Sequence, residues 1–447
     1  MFGSNRSLNM LSSKVWIEKQ WPSKLFFDPR VHKRVLLVAE ACLNFPDRSI
    51  PKRFQSAGAT KGCYRLLSRT NMGHKKLQSA HYENVREEAV AASGRVLFIQ
   101  DGSELIYNSH LWTTGLGHTA DAAGNGIMFH SCLAVKIEDG QPHVIGLACQ
   151  KAWIRTDEES EESEGDVWAE MIRRIGPPPK ECAWITVGDR GSNIFSFVED
   201  ADSSGWGCVV RSKHDRKIRV NGTVAKLKKH IRSLPAMTSF NHKLRSKAGG
   251  ASTREVTLHV SWTEAEMMPP DTETDKNPIK GSYVRVWCDE DRDIEWIIFT
   301  LSAITSKESA LEIVTIYTQR WIIEEYHKCL KTGCKMEEAQ LRAADHLMNL
   351  FGILGVIATQ LLQLRDLSRI RGSELADTHV DKIAVKLIEK IYKLTIPPTI
   401  KEFWRRVAML GGFLGRKSDG NPGWQTIWYG WLRLQDMCRG AALAMSC

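Results

Sequence analysis

Short apolar runs alternate with helix-like segments from about residue 90 onward. Such alternation of buried strands and helices predicts an α/β fold. The length of 447 residues suits several domains around more than one core. The predicted strands are Val96–Gln100, Ile127–Ile137, His143–Ile154, Trp184–Gly188 and Cys208–Lys213.

Two of the predicted strands lead directly into an aspartate and then into turn residues. Asp101 is followed by Gly102 and Ser103, and Asp189 is followed by Arg190 and Gly191. We therefore expect each aspartate to lie at the end of its strand. An aspartate in that position can form a turn or cap a helix, and it can also bind a metal ion.

The stretch from Tyr317 to Lys331 has the pattern of one helix. Tyr317, Arg320, Glu324 and Lys331 are spaced so that, at roughly 100° per residue, all four side chains fall on one narrow stripe. This spacing predicts a carboxylate flanked by groups that bind phosphate. A solvated face with spaced ion pairs is the alternative.

Three carboxylates on rigid elements suit phosphodiester chemistry. Mg²⁺ prefers hard oxygen ligands, and two ions roughly 3.5 to 4 Å apart can stabilise both the attacking and the leaving oxygen. Asp101, Asp189 and Glu324 are the candidate ligands. A purely structural role for the three is the alternative.

Residues 317–338 closely resemble the Tyr-x-x-Arg-x-x-x-Glu-x-x-x-x-x-x-Lys signature of a known family. These are the bacterial cut-and-paste DDE transposases grouped with transposon five, in the insertion-sequence-four family. The resemblance runs in collinear order over nearly the whole chain from about residue 15. Other matching segments are Ile99–Asp101, Gly188–Arg190, Val209–Lys217, Asp28–Arg34, Leu410–Phe413 and Gly423–Trp431.

The resemblance implies a ribonuclease H-like α/β core with a β-strand insertion domain, plus helical domains at both ends. The implied boundaries are 1–85 for the domain that binds the transposon end, 86–370 for the catalytic domain and 371–447 for the dimerisation domain. The insertion would occupy about 214–300, because the 135 positions between Asp189 and Glu324 are too many for a simple loop.

The implied function is transposition of DNA. Asp101, Asp189 and Glu324 would bind two Mg²⁺ ions, for which Mn²⁺ can substitute. The enzyme would bind terminal inverted repeats, pair two ends as a homodimer, nick a strand, form a hairpin at the end and join 3′-hydroxyl ends to target DNA. Its partners would be double-stranded DNA, as transposon ends and target, and a second copy of the chain.

Ten side chains are implied to contact DNA. Arg320, Lys331 and Tyr317 would bind phosphates beside the cleavage point, and Trp296 would stack on a base that has left the helix. A core tryptophan is the alternative for Trp296, and a solvated face is the alternative for each contact in the first domain. The other implied contacts are Arg211, Lys213, Arg30, Arg34, Lys61 and Arg65.

The charge distribution supports a nucleic-acid partner. The chain carries +9, but residues 1–80 alone hold 15 Lys and Arg against 4 Asp and Glu, a net charge of +11. Residues 211–247 hold 12 basic residues against one acidic residue, again +11. Such clusters supply the part of DNA affinity that depends on salt and not on sequence.

The remaining features indicate an intracellular protein. Eleven cysteines without a Cys-x-x-Cys pair predict reduced core thiols, and the apolar stretch Leu347–Leu364 contains polar residues that favour a buried helix over a membrane span. We expect a cytoplasmic bacterial protein that associates with the nucleoid and has no membrane partner. Asn44 and Phe45 depart from the family pattern, so the recognised end sequence does not carry over.

Two other functions share part of this pattern. A ribonuclease H-like nuclease or Holliday junction enzyme would have the three carboxylates without needing Trp296 or the stripe from Tyr317 to Lys331. A catalytically silent DNA-binding derivative would keep both basic clusters, but such proteins usually lose a carboxylate or the carboxyl end.

Overall fold

The structure is a computed structural model and is mixed α/β. It describes residues 13–54, 56–92, 94–120, 124–138, 140–156, 165–245, 253–273, 275–370, 372–416 and 419–446. Residues 1–12 of the first basic cluster, residues 246–252 at the end of the second, and Cys447 lie outside this description.

Helices form the amino-terminal part of the chain. The Asp28 carboxylate caps a helix by accepting a hydrogen bond of 2.8 Å from the Arg30 amide, and Pro29 is the first helical residue. The side chains of Val35, Val38 and Ala39 then face the core. The helices are α1 (Ser13–Gln20), α2 (Pro29–Asn44), α3 (Ile50–Arg53), α4 (Ala57–Leu67) and α5 (His74–Ala91).

A large sheet follows, and it confirms all five predicted strands. The three central strands β1, β5 and β6 run parallel, while β3 and β4 extend the sheet antiparallel beyond β1. The bounds are β1 (Arg95–Ile106), β2 (Gly117–His118), β3 (Asn125–Glu138), β4 (Gln141–Trp153), β5 (Ala183–Gly188) and β6 (Gly207–Arg211). Two helices in this region are α6 (Asp166–Ile175) and α7 (Phe195–Ser203).

The strands between residues 217 and 300 continue the same sheet. Strand β12 pairs antiparallel with β6, so it joins the following strands to the core. Within the described part of the chain, twelve strands belong to this sheet. The added elements are β7 (Lys217–Val220), β8 (Thr223–Lys226), α8 (Leu227–Ser233), β9 (Thr238–Arg245), β10 (Thr253–Met267), β11 (Ile279–Trp287) and β12 (Glu295–Thr300).

Helices cover both faces of the central strands, because alternate residues of β1 point to opposite sides. Leu97 and Ile99 pack in the core that contains α10 (Trp321–Lys328) and α11 (Ala344–Ile370). Val96 and Phe98 pack in the core that contains α6 and α7. The remaining helices are α9 (Lys307–Thr318), α12 (Lys382–Tyr392), α13 (Ile400–Leu410) and α14 (Trp424–Ser446).

Helix α11 confirms the predicted buried helix. Its segment Ala344–Gln363 is long and apolar enough to cross a membrane, with a mean hydropathy of 1.3, but 83% of that segment is buried inside the protein. Asn349 donates hydrogen bonds to the carbonyls of Leu67 and Arg69. The helix therefore has the environment of a core helix.

Candidate active site

Asp101 lies in the middle of a strand, so the prediction that it ends its strand is wrong. Strand β1 continues to Ile106 because Asp101 and the residues after it keep pairing with β3, Asp101 opposite Ser131 and Gly102 opposite His130. Pairing of β1 with β5 ends earlier, at Ile99. The extra length comes from a long-range strand partner, which overrides the local turn preference of glycine and serine.

Asp189 directly follows β5, as predicted. Its carboxylate accepts a hydrogen bond of 2.7 Å from the Gly191 amide and caps a short turn of 3₁₀ helix, Arg190–Ser192. Glycine is required just before it, because a Cβ on Gly188 would lie 2.3 Å from the Ser192 Oγ. The same Cβ would lie 2.9 Å from the ring of Trp168, so this buried tryptophan supports the turn that carries Asp189.

The stretch from Tyr317 to Lys331 is not one regular helix, so this prediction is wrong in its geometry. Helix α9 ends at Thr318, and the Arg320 amide bonds to the Tyr317 carbonyl in a tighter turn. A π-helical turn, Cys329–Gly333, then contains Lys331. Because both turns depart from 3.6 residues per turn, the angles of a regular helix do not apply across them.

Arg320 nevertheless brings two of the predicted carboxylates together. Its guanidinium donates to the Asp101 Oδ2 at 3.3 Å and also forms an ion pair with Glu324. The three side chains are 21%, 18% and 40% exposed, so the site is reachable from solvent. Strand β1 and helix α10 are thus joined at the site by a charged bridge.

The negative charge of Asp189 also acts on Asp101. Burial raises the pKa of Asp101 to about 7, repulsion from Asp189 and Glu324 adds to the increase, and the Arg320 guanidinium opposes it. Repulsion of this kind requires the carboxylates to be near one another. Arg320 therefore joins Asp101 and Glu324, and Asp189 lies near enough to Asp101 for their charges to repel, so we treat the three carboxylates as one acidic cluster.

The cluster fits a divalent metal by its donor type. Carboxylate oxygens are the ligands that hard cations prefer. Within the described ranges, however, no three Asp, Glu, His or Cys side chains are grouped so that they could hold a metal ion. Arg320 lies between Asp101 and Glu324 and neutralises part of their charge.

We expect the affinity of this cluster for Mn²⁺ to rise about tenfold per pH unit up to about pH 7 and to level off above it. Below that pH the proton on Asp101 must be displaced by the metal, whereas above it the carboxylate is already ionised. The facing charges are Asp189, Glu324 and Arg320. Electron paramagnetic resonance titration of free Mn²⁺ would measure the affinity. Asp101→Asn should flatten this dependence, and a flat profile in the unsubstituted protein would contradict the prediction.

Tyr317 lies beside the cluster and contacts two other predicted residues. Its ring meets Trp296 edge to face with centroids 5.6 Å apart, and its hydroxyl is hydrogen-bonded by Arg211. Burial raises the pKa of Tyr317, while Arg211 and Arg320 lower it. Arg211 also donates to the Glu295 carbonyl at 2.7 Å, next to Trp296. The geometry therefore joins these residues to the acidic cluster.

Trp296 lies in strand β12 and is half-buried. It pairs with Val286 across β12 and β11 and packs on the edge of the apolar core. Lys213 is exposed, and its amide bonds to Asn193 at 3.3 Å. Lys331 is half-buried, and the contacts described do not bring it to the acidic cluster.

His327 is a buried residue near the site that the sequence patterns missed. It is 8% exposed, its ring packs against Phe129, and its Nε2 has no hydrogen-bond partner among the described groups. Burial lowers the pKa of His327 to about 3, and Lys331 and Arg320 add to the decrease. Its position three residues after Glu324 is the only local sequence signal.

Three models of known families match this chain. Residues 161–361 match the family described as Transposase DDE domain. Residues 13–72 match Transposase DNA-binding, and residues 360–447 match Transposase Tn5 dimerisation domain. The chain belongs to the Tn5-like DDE transposases. It is therefore a DNA-binding enzyme that catalyses metal-dependent DNA cleavage and strand transfer. Its carboxyl-terminal part is a dimerisation domain.

A solved structure is also similar to this transposase. It is described as a cryo-EM structure of the piggyBac transposase synaptic complex with hairpin DNA. The identity is 9% and the TM-score is 0.38, over 80% of this chain and 73% of the other.

The DNA-binding part of the transposase presents three of its predicted contacts without an ion-pair partner among the described residues. Lys61 and Arg65 are exposed one turn apart on α4. Arg34 reaches from α2 onto the same helix, since a Cβ on Gly62 would lie 2.4 Å from its Nη1. Arg30 is different, because it is ion-paired with its own cap Asp28.

The dimerisation part of the transposase buries its tryptophans within the subunit. Trp424, Trp428 and Trp431 are all under 9% exposed, and the Trp431 ring lies 5.2 Å from that of Trp404. Helices α13 and α14 cross so closely that a Cβ on Gly430 would lie 1.7 Å from the Val407 carbonyl oxygen. Contacts between subunits therefore need another surface.

The cysteines of the transposase are free where the structure describes them. Eight of the ten described cysteines are buried, and Cys182 and Cys438 are half-buried. Burial raises the pKa of Cys63 to about 12 and that of Cys334 to about 12. These thiols therefore stay protonated and unreactive at neutral pH.

Proposed function

We propose that this transposase excises a mobile element by cutting and joining DNA at the cluster of Asp101, Asp189 and Glu324. The observation that carries the proposal is the bridge from Arg320 to Asp101 and Glu324, with the charge of Asp189 acting at the same point. A cluster of this kind can hold divalent cations and, through the arginine, a phosphate. The core is proposed to be ribonuclease H-like, since strands β4, β3, β1, β5 and β6 are adjacent in that order.

The three carboxylates would hold two Mg²⁺ ions, or Mn²⁺ in their place. When bound, such ions lower the charge of the phosphodiester and assist ionisation of the attacking hydroxyl or water. Arg320 would leave the carboxylates and bind a phosphate oxygen, and Tyr317 and Lys331 would bind neighbouring phosphates. Arg211 keeps Tyr317 in place through its hydroxyl.

The reaction would proceed in four steps. Water first nicks one strand and leaves a free 3′-hydroxyl, which attacks the opposite strand to form a hairpin. Water then opens the hairpin, and the 3′-hydroxyl attacks a phosphodiester of the target. Each step breaks one phosphodiester bond and expels one 3′-oxygen, so the same site serves all four.

The domain boundaries remain our proposal: 1–85 for end binding, 86–370 for catalysis with an insertion at about 214–300, and 371–447 for dimerisation. Helix α11 runs to Ile370, and the dimerisation match begins within it at residue 360. Two subunits would pair two ends, each cutting the end that its partner holds.

The test uses the purified protein, Mg²⁺ and a labelled duplex that carries the inverted repeats flanking its gene, with products separated on a denaturing gel. A nicked strand that converts to a hairpin and then to joined product would support the proposal. Cleavage without joining would favour a nuclease instead. Binding without cleavage, repeated with Mn²⁺, would favour a silent regulator.

Trp296→Ala should stall the reaction after the first nick. The half-buried ring packs on Tyr317, so its free side is available to a base that leaves the helix. Stacking of that base is worth roughly 1 to 3 kcal/mol, so hairpin yield should fall roughly 5- to 150-fold. The gel assay measures nick and hairpin separately, and Trp296→Phe is the matched control that keeps an aromatic ring. An unchanged hairpin yield in Trp296→Ala would contradict the proposed stacking of Trp296 on a base.

Lys61→Ala and Arg65→Ala should each weaken binding to the transposon end. Each should also make this binding less dependent on salt concentration. Each residue is exposed on α4, and removing one cation that neutralises a phosphate should reduce the slope of log affinity against log salt by about 0.9. Gel-shift titrations at several salt concentrations measure this slope. Lys24→Ala is a suitable control, because Lys24 is ion-paired with Glu83. An unchanged slope in both variants would exclude α4 from the interface.

A further inference from the structure

A turn beyond the end of β1 presents two large apolar side chains to solvent. Leu111 is 84% exposed and Trp112 is 88% exposed, although apolar side chains of this size are normally buried. They are the two central residues of a β-turn closed by the Thr113 amide and the His110 carbonyl at 3.1 Å. Turn chemistry does not call for them, because central turn positions favour glycine, proline, asparagine and aspartate.

The turn is held firmly on both sides by the segment after the Glu324 helix. Thr113 donates from its hydroxyl to the Leu341 carbonyl at 2.6 Å, and the Thr114 amide donates to the Arg342 carbonyl at 2.9 Å. His110 is buried and contacts Gln340 at 3.3 Å. Leu111 and Trp112 are therefore presented by an ordered support and do not need to be ordered on binding.

The turn lies on the substrate side of the sheet. Ligands of α/β sheets bind at the carboxyl ends of the parallel strands, where Asp189 is located. Strand β1 projects past this edge from Asp101 to Ile106, about 16 Å at 3.3 Å per residue, and the turn follows the strand at His110–Thr113. About five base pairs of duplex DNA cover the length of the projecting strand. A duplex that is bound at the carboxylates and continues beyond the strand can therefore extend to the turn.

We propose that Leu111 and Trp112 form a wedge that inserts between base pairs of duplex DNA beyond the first roughly five base pairs from the cleavage point. Apolar wedges on a rigid support unstack a base step and bend the duplex, and an aromatic ring can stack on the exposed base. Arg342, whose side chain is exposed at the base of the turn, is available to a phosphate. The inference rests on the proposed function and adds a second contact with the same DNA.

The duplex could be the transposon end with its flanking DNA or the target. Two assays separate these sources: cleavage of an uncut end duplex, and joining of a precleaved end to plasmid DNA. Trp112→Ala and Leu111→Ala should lower the yield in one of them roughly 10-fold, while Trp112→Phe retains most of the yield. Ile137→Ala is the control, because Ile137 is 39% exposed at the opposite end of β3.

A fluorescence scan tests insertion directly without cleavage. The base 2-aminopurine is placed at successive positions outward from roughly five base pairs beyond the scissile phosphate. The complex is formed in the presence of a chelator, and the emission rises where a base step is unstacked. We expect one position to respond with the unsubstituted protein and to lose the response with Trp112→Ala. The inference fails if the unsubstituted protein cuts and joins while Trp112→Ala changes neither yield nor emission.

A contact between subunits would give a different result. Trp112→Ala would then reduce the amount of paired complex measured by sedimentation while leaving the 2-aminopurine emission unchanged, which would also overturn the inference. If the unsubstituted protein itself neither binds nor cuts the ends, the proposed function fails, and that result is distinct from a failure of the wedge.

Discussion

Glu324→Ala should abolish cleavage of transposon ends and leave end binding almost unchanged. The carboxylate of Glu324 forms an ion pair with Arg320, whose other arm reaches Asp101. Its loss removes one of three candidate metal ligands. A bound metal is worth several kcal/mol in the transition state, so cleavage should fall at least roughly 1,000-fold. End binding relies on α1 to α4, which this substitution does not alter. Denaturing gels measure cleavage, and gel shifts measure binding.

The next residue supplies a matched control. Glu325 is also a carboxylate on α10, but it pairs with Lys328 at 3.4 Å and not with Arg320. Glu325→Gln should therefore cut normally, whereas Glu324→Gln should be as inactive as Glu324→Ala. If Glu324→Ala lost binding as severely as cleavage, the residue would be structural and not a metal ligand.

Arg320→Gln should separate metal binding from cleavage. The Arg320 guanidinium now neutralises part of the charge on Asp101 and Glu324, so its removal takes away a cation that competes with the metal. We expect Mn²⁺ affinity to rise roughly tenfold, in keeping with one charge removed near a protein surface. Cleavage should still fall at least roughly 100-fold, because the positioned donor to the phosphate is lost.

Arg320→Lys is the control that keeps the positive charge but not the planar shape of the guanidinium. A lysine keeps the positive charge but cannot form two parallel hydrogen bonds, so its cleavage rate should lie between those of the unsubstituted protein and Arg320→Gln. Spin-resonance titration of Mn²⁺ and gel assays of the same preparations give both quantities. Parallel loss of metal affinity and cleavage in Arg320→Gln would mean that Arg320 holds the carboxylates in place and does not compete with the metal.

Local patterns were sufficient for the two strands next to Asp101 and Asp189, but not for the helical segments from Tyr317 to Lys331. Short apolar runs predict β1 and β5 because buried parallel strands are apolar on both faces. The cap at Asp28 and Pro29 predicts the start of α2 because its interactions lie within one turn. The position of Asp189 could be predicted for the same reason, since its turn forms with Arg190 to Ser192.

Features set by distant contacts could not be predicted in this way. Asp101 lies within its strand because β3, which begins 24 positions later, pairs with the residues after it. The bridge from Arg320 to Asp101 joins residues 219 positions apart. The exposure of Trp112 depends on anchors near residue 341. In each case the partner is far away in sequence, so no local pattern records the contact.

Helix α11 is shared by the part of the chain that matches the DDE domain and the part that matches the dimerisation domain. Its 27 residues span about 40 Å, from the segment that anchors the Trp112 turn into the dimerisation domain. No loop interrupts this helix, so it would hold the active site in a fixed orientation to the part of the chain that matches the dimerisation domain. In a pair of subunits built this way, the protein itself would set the distance between the two active sites that join DNA. The two cuts made in any target should therefore be staggered by the same number of base pairs, whatever the target sequence.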